Sequence, residues 1–414
     1  MRVTDFVRTM TAQATDRDRP HAVYISSDWP YPPTSGGRSH AAALVRHLGR
    51  RVDLSLLALD MPDPSPSWAT AVAIAAGRRS MAGRRALDFG LAIATGTHVV
   101  LNRAEAAGLQ VAFEEILRAR PASLAVLGRP FLGSFIDIAR GAGCRVVIDA
   151  DESMSRVAAS IARSRGPIKG RLRAALEWNS LERFEQREYP RADQVWVTSA
   201  VEKLGLVRYT DQDRIRVIPN VAPRAVADHV TAPEVSAVAF VGWYRYGPNE
   251  AAALELIQHV MPRIRKLGGP SHLKLVGRDP TPRMRAAARA DADTEVTGEV
   301  PDVGSILRSA GILVCPIRAG GGTRVKILDA AALGVPVVST SLGIEGLGFT
   351  DGYEALVADS PDSMARAVIR LSRDRSARQL LVEHAAEAVR HRWSDGAADV
   401  AIDDALEALG LLAR

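Results

Sequence analysis

The most constraining feature of this 414-residue sequence is one pattern that is run through twice. Short, continuous runs of Val, Ile, Leu and Ala alternate with helix-length amphipathic segments, stop at a proline-rich stretch, and begin again. In the first pass the apolar runs are residues 22–26, 52–59, 123–127, 145–148, 194–198 and 214–218, with a helix over 38–49. Unbroken apolar runs, as opposed to alternating ones, predict strands covered on both faces, as in parallel sheets under crossover helices. Pro219-Asn220-Val221-Ala222-Pro223 and the polar residues to 236 read as a linker. The second pass places strands at 238–241, 273–276, 295–297, 311–316 and 335–340. Its helices fall at 249–266, 282–290, 303–309 and 324–333. Residues 361–412 read as helical with a break at 393–396. The expectation is an α/β chain of two Rossmann-like domains facing a cleft, followed by C-terminal helices. Its divisions are 1–218, a linker 219–235, 236–390, and a last helix 391–414 free to pack back on the first domain.

Composition narrows the function classes. An apolar share of 47% excludes a disordered chain, and two cysteines, Cys144 and Cys315, exclude a disulfide scaffold. Neither cysteine belongs to a CxxC or Cys/His pair, so both are expected as buried thiols in a reducing compartment. Only five of the 53 basic residues are lysines, and a net charge of +6 with 5% aromatics does not describe a nucleic-acid binder. Residues 1–20 carry Asp5, Asp16 and Asp18 and no apolar core, so no signal peptide is expected. The longest spanning candidate, 86–101, is interrupted by Asp88, Gly90 and Thr95-Gly96-Thr97-His98, which makes a cytoplasmic location the expectation.

Three segments carry candidate chemistry. Thr34-Ser35-Gly36-Gly37-Arg38 follows the first strand and opens a helix. Paired glycines there suit close approach of a phosphate to the helix N-terminus, or equally a tight turn capped by Thr34 or Ser35. Asp149-Ala150-Asp151-Glu152 ends the strand 145–148, at the edge where open α/β sheets bind ligands. Those carboxylates could orient an acceptor hydroxyl, act as a base, hold a divalent cation, or cap a helix through Asp151. The third segment is Arg318-Ala319-Gly320-Gly321-Gly322-Thr323-Arg324-Val325-Lys326-Ile327-Leu328-Asp329. Arginine at a helix start opposes the helix dipole by about 0.3–1 kcal/mol unless an anion compensates. Triple glycine, Arg324 and Lys326 together predict a diphosphate clamp, with Asp329 reaching the same mouth for sugar or ribose hydroxyls. Gly242, after the strand 238–241, and the segment 340–347 with Glu345 occupy corresponding strand-end positions. The nine histidines show no metal-ligand spacing, and His40 and His47 read as ordinary helix residues.

From Gly320 to Ala330, and on through Gly334-Val335-Pro336-Val337-Val338-Ser339-Thr340, the sequence resembles the donor-site signature of family 4 glycosyltransferases of the GT-B fold. Phe240-Val241-Gly242, Tyr246-Gly247-Pro248-Asn249, Val296 to Val300, Ile218-Pro219-Asn220 and Gly343 to Leu347 extend the resemblance over nearly the whole chain. It implies a retaining transfer from a nucleotide-diphosphate sugar, with no metal and no organic cofactor. The C-terminal domain would hold the donor and the N-terminal domain a glycan, lipid-linked or natural-product acceptor. By this resemblance Gly36, Gly37, Gly321, Gly322 and Thr323 approach the diphosphate, which Arg324 and Lys326 neutralise. Gly298, Glu299 and Val300 face the nucleobase, and Gly242 and Glu345 complete the donor site. Asp329 stands where the second glutamate of the family's Glu-x7-Glu motif grips the ribose, while the first glutamate is replaced by Gly321. Asp151, with Asp149, would orient the acceptor.

Alternatives from the same residues are a metal-dependent GT-A-type transferase using Asp149 and Asp151, a sugar-nucleotide epimerase, and a non-catalytic nucleotide-sugar-binding subunit. Two basic clusters remain, Arg78, Arg79, Arg84, Arg85 and Arg163, Arg165, Lys169, Arg171, Arg173. They read either as solvated helix faces or as peripheral contacts to anionic lipid at the inner membrane face.

Overall fold

A computed structural model describes residues 19–26, 29–31, 33, 35–58, 70–73, 103–164 and 168–412. The chain forms two compact units, one of Met1–Ala158, Ala175–Pro219 and Ala398–Arg414, the other of Ala159–Ala174 and Asn220–Ala397. Thr34, Arg78, Arg79, Arg84, Arg85, Arg165 and the stretch 86–101 lie outside the described residues.

The first unit is built on seven parallel strands: β1 (His21–Ser26), β2 (Asp53–Ala58), β3 (Thr70–Ala73), β4 (Leu124–Gly128), β5 (Arg145–Asp151), β6 (Gln194–Val197) and β7 (Ile215–Val217). They lie in the order β3-β2-β1-β4-β5-β6-β7, with Ala22 beside both Leu54 and Leu124. The order reverses between β1 and β4, so the crevice beyond their carboxyl ends is where this topology receives a ligand. Helices α1 (Gly36–Gly49), α2 (Arg103–Ala119), α3 (Met154–Arg163), α4 (Ile168–Glu188) and α5 (Ala200–Leu206) follow in sequence. Because side chains alternate along a strand, Val23, Ile25, Leu127, Val146 and Ile148 pack one face against Phe113 of α2, Phe135 and Tyr189. Tyr24, Leu56, Val126, Val147 and Trp196 cover the other against Leu44, Val45 and Leu48 of α1. Ile402, Ala405 and Leu406, from the C-terminal helix, belong to this second cluster. Asp399 and Asp403 beside them take ion pairs from Arg51, and Asp399 also accepts from His47 Nδ1 at 2.7 Å.

The second unit repeats the plan with β8 (Ala237–Val241), β9 (His272–Val276), β10 (Thr294–Gly298), β11 (Leu313–Cys315), β12 (Val337–Ser339) and β13 (Leu356–Val357). All pair in parallel in the order β10-β9-β8-β11-β12-β13, so the reversal falls between β8 and β11. Its helices are α6 (Gly247–Glu255), α7 (Pro282–Arg289), α8 (Val303–Ala310), α9 (Val325–Ala332), α10 (Pro361–Arg373) and α11 (Arg375–Arg392), while α12 (Asp395–Ala408) belongs from Ala398 onward to the first unit. A π turn, Leu256–Val260, carries α6 on into Met261–Lys266. Two strands escaped the sequence reading. β3 is four residues of small side chains, and β13 is two residues long, below what an apolar run can signal. Among the described residues no helix is long and apolar enough to cross a membrane.

Candidate functional site

In the second unit the loop after β11 leads into α9. Gly320 has φ of 112°, and a Cβ there would lie 2.6 Å from the Tyr246 hydroxyl, so this position admits glycine alone without a shift. Gly322 is also left-handed, at φ 65°. Arg324 is the N-cap residue of α9, so the helix starts one position later than the sequence reading placed it. No side chain caps the helix, and its first turn holds no acidic residue. Arg324 is 8% exposed. Its Nη1 donates to the carbonyl oxygens of Gly321 and Gly322, which ties the guanidinium to the glycine loop. Its Nη2 is buried and has no hydrogen-bond partner among the described residues. A buried guanidinium nitrogen left unpaired is costly, and an anion at the loop would complete it.

Lys326 lies two residues further on, in the first turn of the helix. Its Nζ donates to Asn249 Oδ1 at 2.8 Å and stands 4.4 Å from the centroid of the Phe240 ring. Burial of the ammonium pulls its pKa down to about 8. Asn249 is held in turn by its Nδ2 donating to the Trp243 carbonyl at 3.0 Å, packed where Gly242 leaves no side chain. Trp243 exposes its ring beside Arg278 and donates its indole N–H to Asp279 at 2.8 Å.

Asp329, on the buried side of α9, is turned toward Arg224. Arg224 Nη1 donates to both carboxylate oxygens at 2.6 Å, and its Nη2 donates to Asp302 Oδ1 at 2.9 Å. Asp302 also caps α8 through the Gly304 and Ser305 amides. Burial pushes the Asp329 carboxyl up, against the opposing pull of Arg224. Since every strand of the sheet is parallel, Gly242, Gly298, Glu299, Val300, Gly321, Gly322, Thr323 and Glu345 all lie at or beyond carboxyl strand ends. Gly298 ends β10 at φ 72° with Glu299 exposed after it, and Glu345 follows the short helix Ser341–Ile344 capped by Thr340.

In the first unit, Ser35 caps α1 by accepting from the Arg38 amide, and Gly36 and Gly37 form the first turn. Asp149 is 3% exposed and is not a free carboxylate: His40 Nε2 lies 2.8 Å from its Oδ1, and the Tyr24 hydroxyl donates to Oδ2 at 3.2 Å. His40 and His47 do not pair with each other; each meets its own aspartate. Asp151 instead meets Arg129, with Nη2 to Oδ2 of 3.3 Å. Both residues have left-handed backbones, φ 58° for Asp151 and 105° for Arg129, a strain that arises where surrounding structure over-determines a conformation. A Cβ on Gly37 would meet Arg129 Nη2 at 2.3 Å, so the guanidinium lies directly on the first turn of α1. Behind Asp151, Glu185 accepts from the Ser155 amide at 3.1 Å and from the Ser153 and Ser155 hydroxyls, while Glu202 accepts from the Ser153 amide at 3.0 Å. Burial pushes the Glu185 carboxyl up. Two buried carboxylates thus fix the start of α3.

Sequence reasoning missed Tyr24, Arg129, His40, Arg224 and Glu185. No local signal marks them, because the contacts that define His40 and Arg224 span 109 and 105 residues. Among the described residues no three of His, Cys, Asp and Glu are grouped as a cation would need, and Asp149 and Asp151 are each already paired.

A family model described as glycosyl transferases group 1 matches residues 236–374. No curated protein matches the chain by sequence. Sucrose-phosphate synthase from Thermosynechococcus elongatus superposes with a TM-score of 0.73 at 17% identity, over 95% of this chain and 99% of that one. HepE of Anabaena, solved with UDP and glucose, gives 0.64 at 11% over 94% and 99%. WaaG, a glycosyltransferase involved in lipopolysaccharide biosynthesis, gives 0.63 at 13% over 92% and 99%. At these identities the likeness is one of fold, and that fold is GT-B, which sets aside the GT-A alternative. The class so defined is a glycosyltransferase with two Rossmann-like units. Its group 1 domain occupies residues 236–374.

Proposed function

We propose that the chain is a retaining, family 4 transferase that moves a sugar from a nucleotide-diphosphate sugar to a hydroxyl of a glycan, lipid-linked or natural-product acceptor. The observation that carries the donor assignment is Arg324: a buried guanidinium with one unpaired nitrogen at the mouth of a glycine loop. Lys326, two residues on, adds a second cation within the same turn. As the bond from the anomeric carbon to the diphosphate breaks, its electron pair stays on the phosphate oxygen. Arg324 and Lys326 stabilise that growing charge. The acceptor hydroxyl attacks from the same face and its proton passes to the departing phosphate oxygen. No metal or organic cofactor takes part in this scheme. HepE is solved with UDP-glucose, which supports a nucleotide-sugar donor here.

Asp329, steadied by Arg224, takes the ribose hydroxyls through lone pairs that the single Nη1 leaves open. Gly298, Glu299 and Val300 face the base, and Gly242, Gly321, Gly322, Thr323 and Glu345 line the donor. Gly36 and Gly37 are the first unit's donor contacts, and Asp151 orients the acceptor. Asp149 acts behind Asp151, fixed by His40 and Tyr24. Two free buried thiols fit a reducing cytoplasm. The test is a panel of nucleotide-sugars incubated with the protein and read by mass spectrometry, with and without a mixed hydroxyl-acceptor pool. Release of nucleoside diphosphate and sugar is the expected result. Nucleotide-sugar isomerised without release assigns an epimerase, and binding without any turnover assigns a non-catalytic subunit.

A further inference from the structure

The amino-terminal half of α4 has an exposure that its core packing does not explain. Residues 168–173 are exposed without a break, and the large side chains Ile168, Leu172 and Leu176 are 71%, 61% and 56% exposed. They recur every fourth residue. At about 100° per residue they form a single stripe some 80° wide. The buried positions of the same helix, Ala174, Ser180, Leu181, Phe184, Glu185 and Glu188, centre on the opposite side. The helix is therefore anchored along one face, mainly by its second half, and its first half presents a separate apolar face outward.

Charge frames that stripe. Lys169 and Arg173 fall on one flank and Arg171 on the other, with no acidic residue between Ile168 and Leu176. Arg171 is steadied on its flank by Nε donating to the Ala162 carbonyl at 3.2 Å. A narrow apolar stripe edged on both sides by basic residues is the arrangement that lies in a lipid interface, leucines among acyl chains and cations at headgroup level.

We propose that residues 168–176 are an interfacial docking helix that seats this protein on an anionic lipid surface. The surface gains apolar contact from Ile168, Leu172 and Leu176 and headgroup attraction from Lys169, Arg171 and Arg173. The proposal does not depend on the donor assignment, and it favours the lipid-linked member of the acceptor classes above.

The test is co-sedimentation of the full chain with vesicles of phosphatidylcholine alone, or of two parts phosphatidylcholine to one part phosphatidylglycerol, at low and high salt. Binding is expected only to the anionic vesicles, and weaker at high salt. Lys169→Gln lowers the partition coefficient about fivefold. Leu172→Asp lowers it by at least about tenfold. All these positions are exposed, so the melting temperature of each variant stays at the parent value, which separates lost docking from lost folding. Equal binding to both vesicle types, or binding untouched by Leu172→Asp, overturns the proposal. So does a dimer by light scattering that Leu172→Asp converts to monomer, which would give this face to a second copy of the chain.

Discussion

Lys326 offers a prediction whose sign follows from its surroundings. Burial holds its ammonium at a pKa of about 8 against an ordinary 10.5, a penalty on the charged form of about 3 kcal/mol. Below pH 8 the side chain is nevertheless mostly protonated, and above it the charge is lost. A bound diphosphate stabilises the cation and raises that pKa, so binding above pH 8 must take up a proton. Affinity for the tightest binder among UDP, GDP, ADP and dTDP then falls about tenfold between about pH 7 and pH 9. Calorimetry at the two pH values in buffers of different ionisation enthalpy reads both the affinity and the proton. In Lys326→Met the affinity is weaker at neutral pH and nearly flat over the same interval. Without ligand the substitution works in the opposite direction. It removes the penalised cation but strands Asn249 Oδ1, a loss of about 1–2 kcal/mol, leaving the variant more stable by about 1–2 kcal/mol at neutral pH. The unfolded lysine keeps its proton up to about 10.5, so parent stability rises with pH from about 8 toward that value, and the variant lacks this rise. Equal pH slopes for parent and variant would refute the reasoning, since Lys326 would then carry no charge that the ligand feels.

Other consequences can be checked with single substitutions. Gly320→Ala forces a left-handed backbone on a side chain that meets the Tyr246 hydroxyl, and is expected to lose about 1–3 kcal/mol by thermal denaturation along with most nucleotide binding. Arg224→Met leaves the Asp329 carboxylate buried and unpaired. It should destabilise by about 1–3 kcal/mol and weaken nucleoside more than pyrophosphate binding, measured by competition calorimetry. Gly37→Ala drives the Arg129 guanidinium from the first turn of α1; the chain can accommodate this through a flexible side-chain end. Turnover should therefore fall while the melting temperature moves by only a few degrees, and an unchanged rate would remove Arg129 from the acceptor side.

The two-sheet architecture was legible because buried parallel strands advertise themselves as unbroken apolar runs, and eleven of those runs coincide with strands from β1 to β12. The glycine loop was equally legible: Gly320 and Gly322 stand where the backbone is left-handed, a demand that few other residues meet. What the sequence withheld is pairing. Asp149 looked like a free acidic residue at a strand end, but His40, more than a hundred residues earlier, occupies it. Asp329 looked aimed at the helix mouth, yet a linker arginine, Arg224, holds it. Lys326 read as part of the diphosphate clamp, but nothing local showed the burial, beside Asn249 and Phe240, that makes its ammonium unusually acidic. Such partners are brought together by topology, so no local spacing encodes them.

The central claim is that Arg324 forms the diphosphate clamp, and the most direct measurement of it is donor hydrolysis by Arg324→Ala beside the parent. The nucleotide-sugar used is the one the parent turns over fastest, and the melting temperatures of both proteins are recorded. The claim predicts a loss of about a hundredfold or more in turnover with weakened nucleoside diphosphate binding and a near-parental melting temperature. Hydrolysis within a few-fold of the parent by a folded Arg324→Ala protein would contradict it.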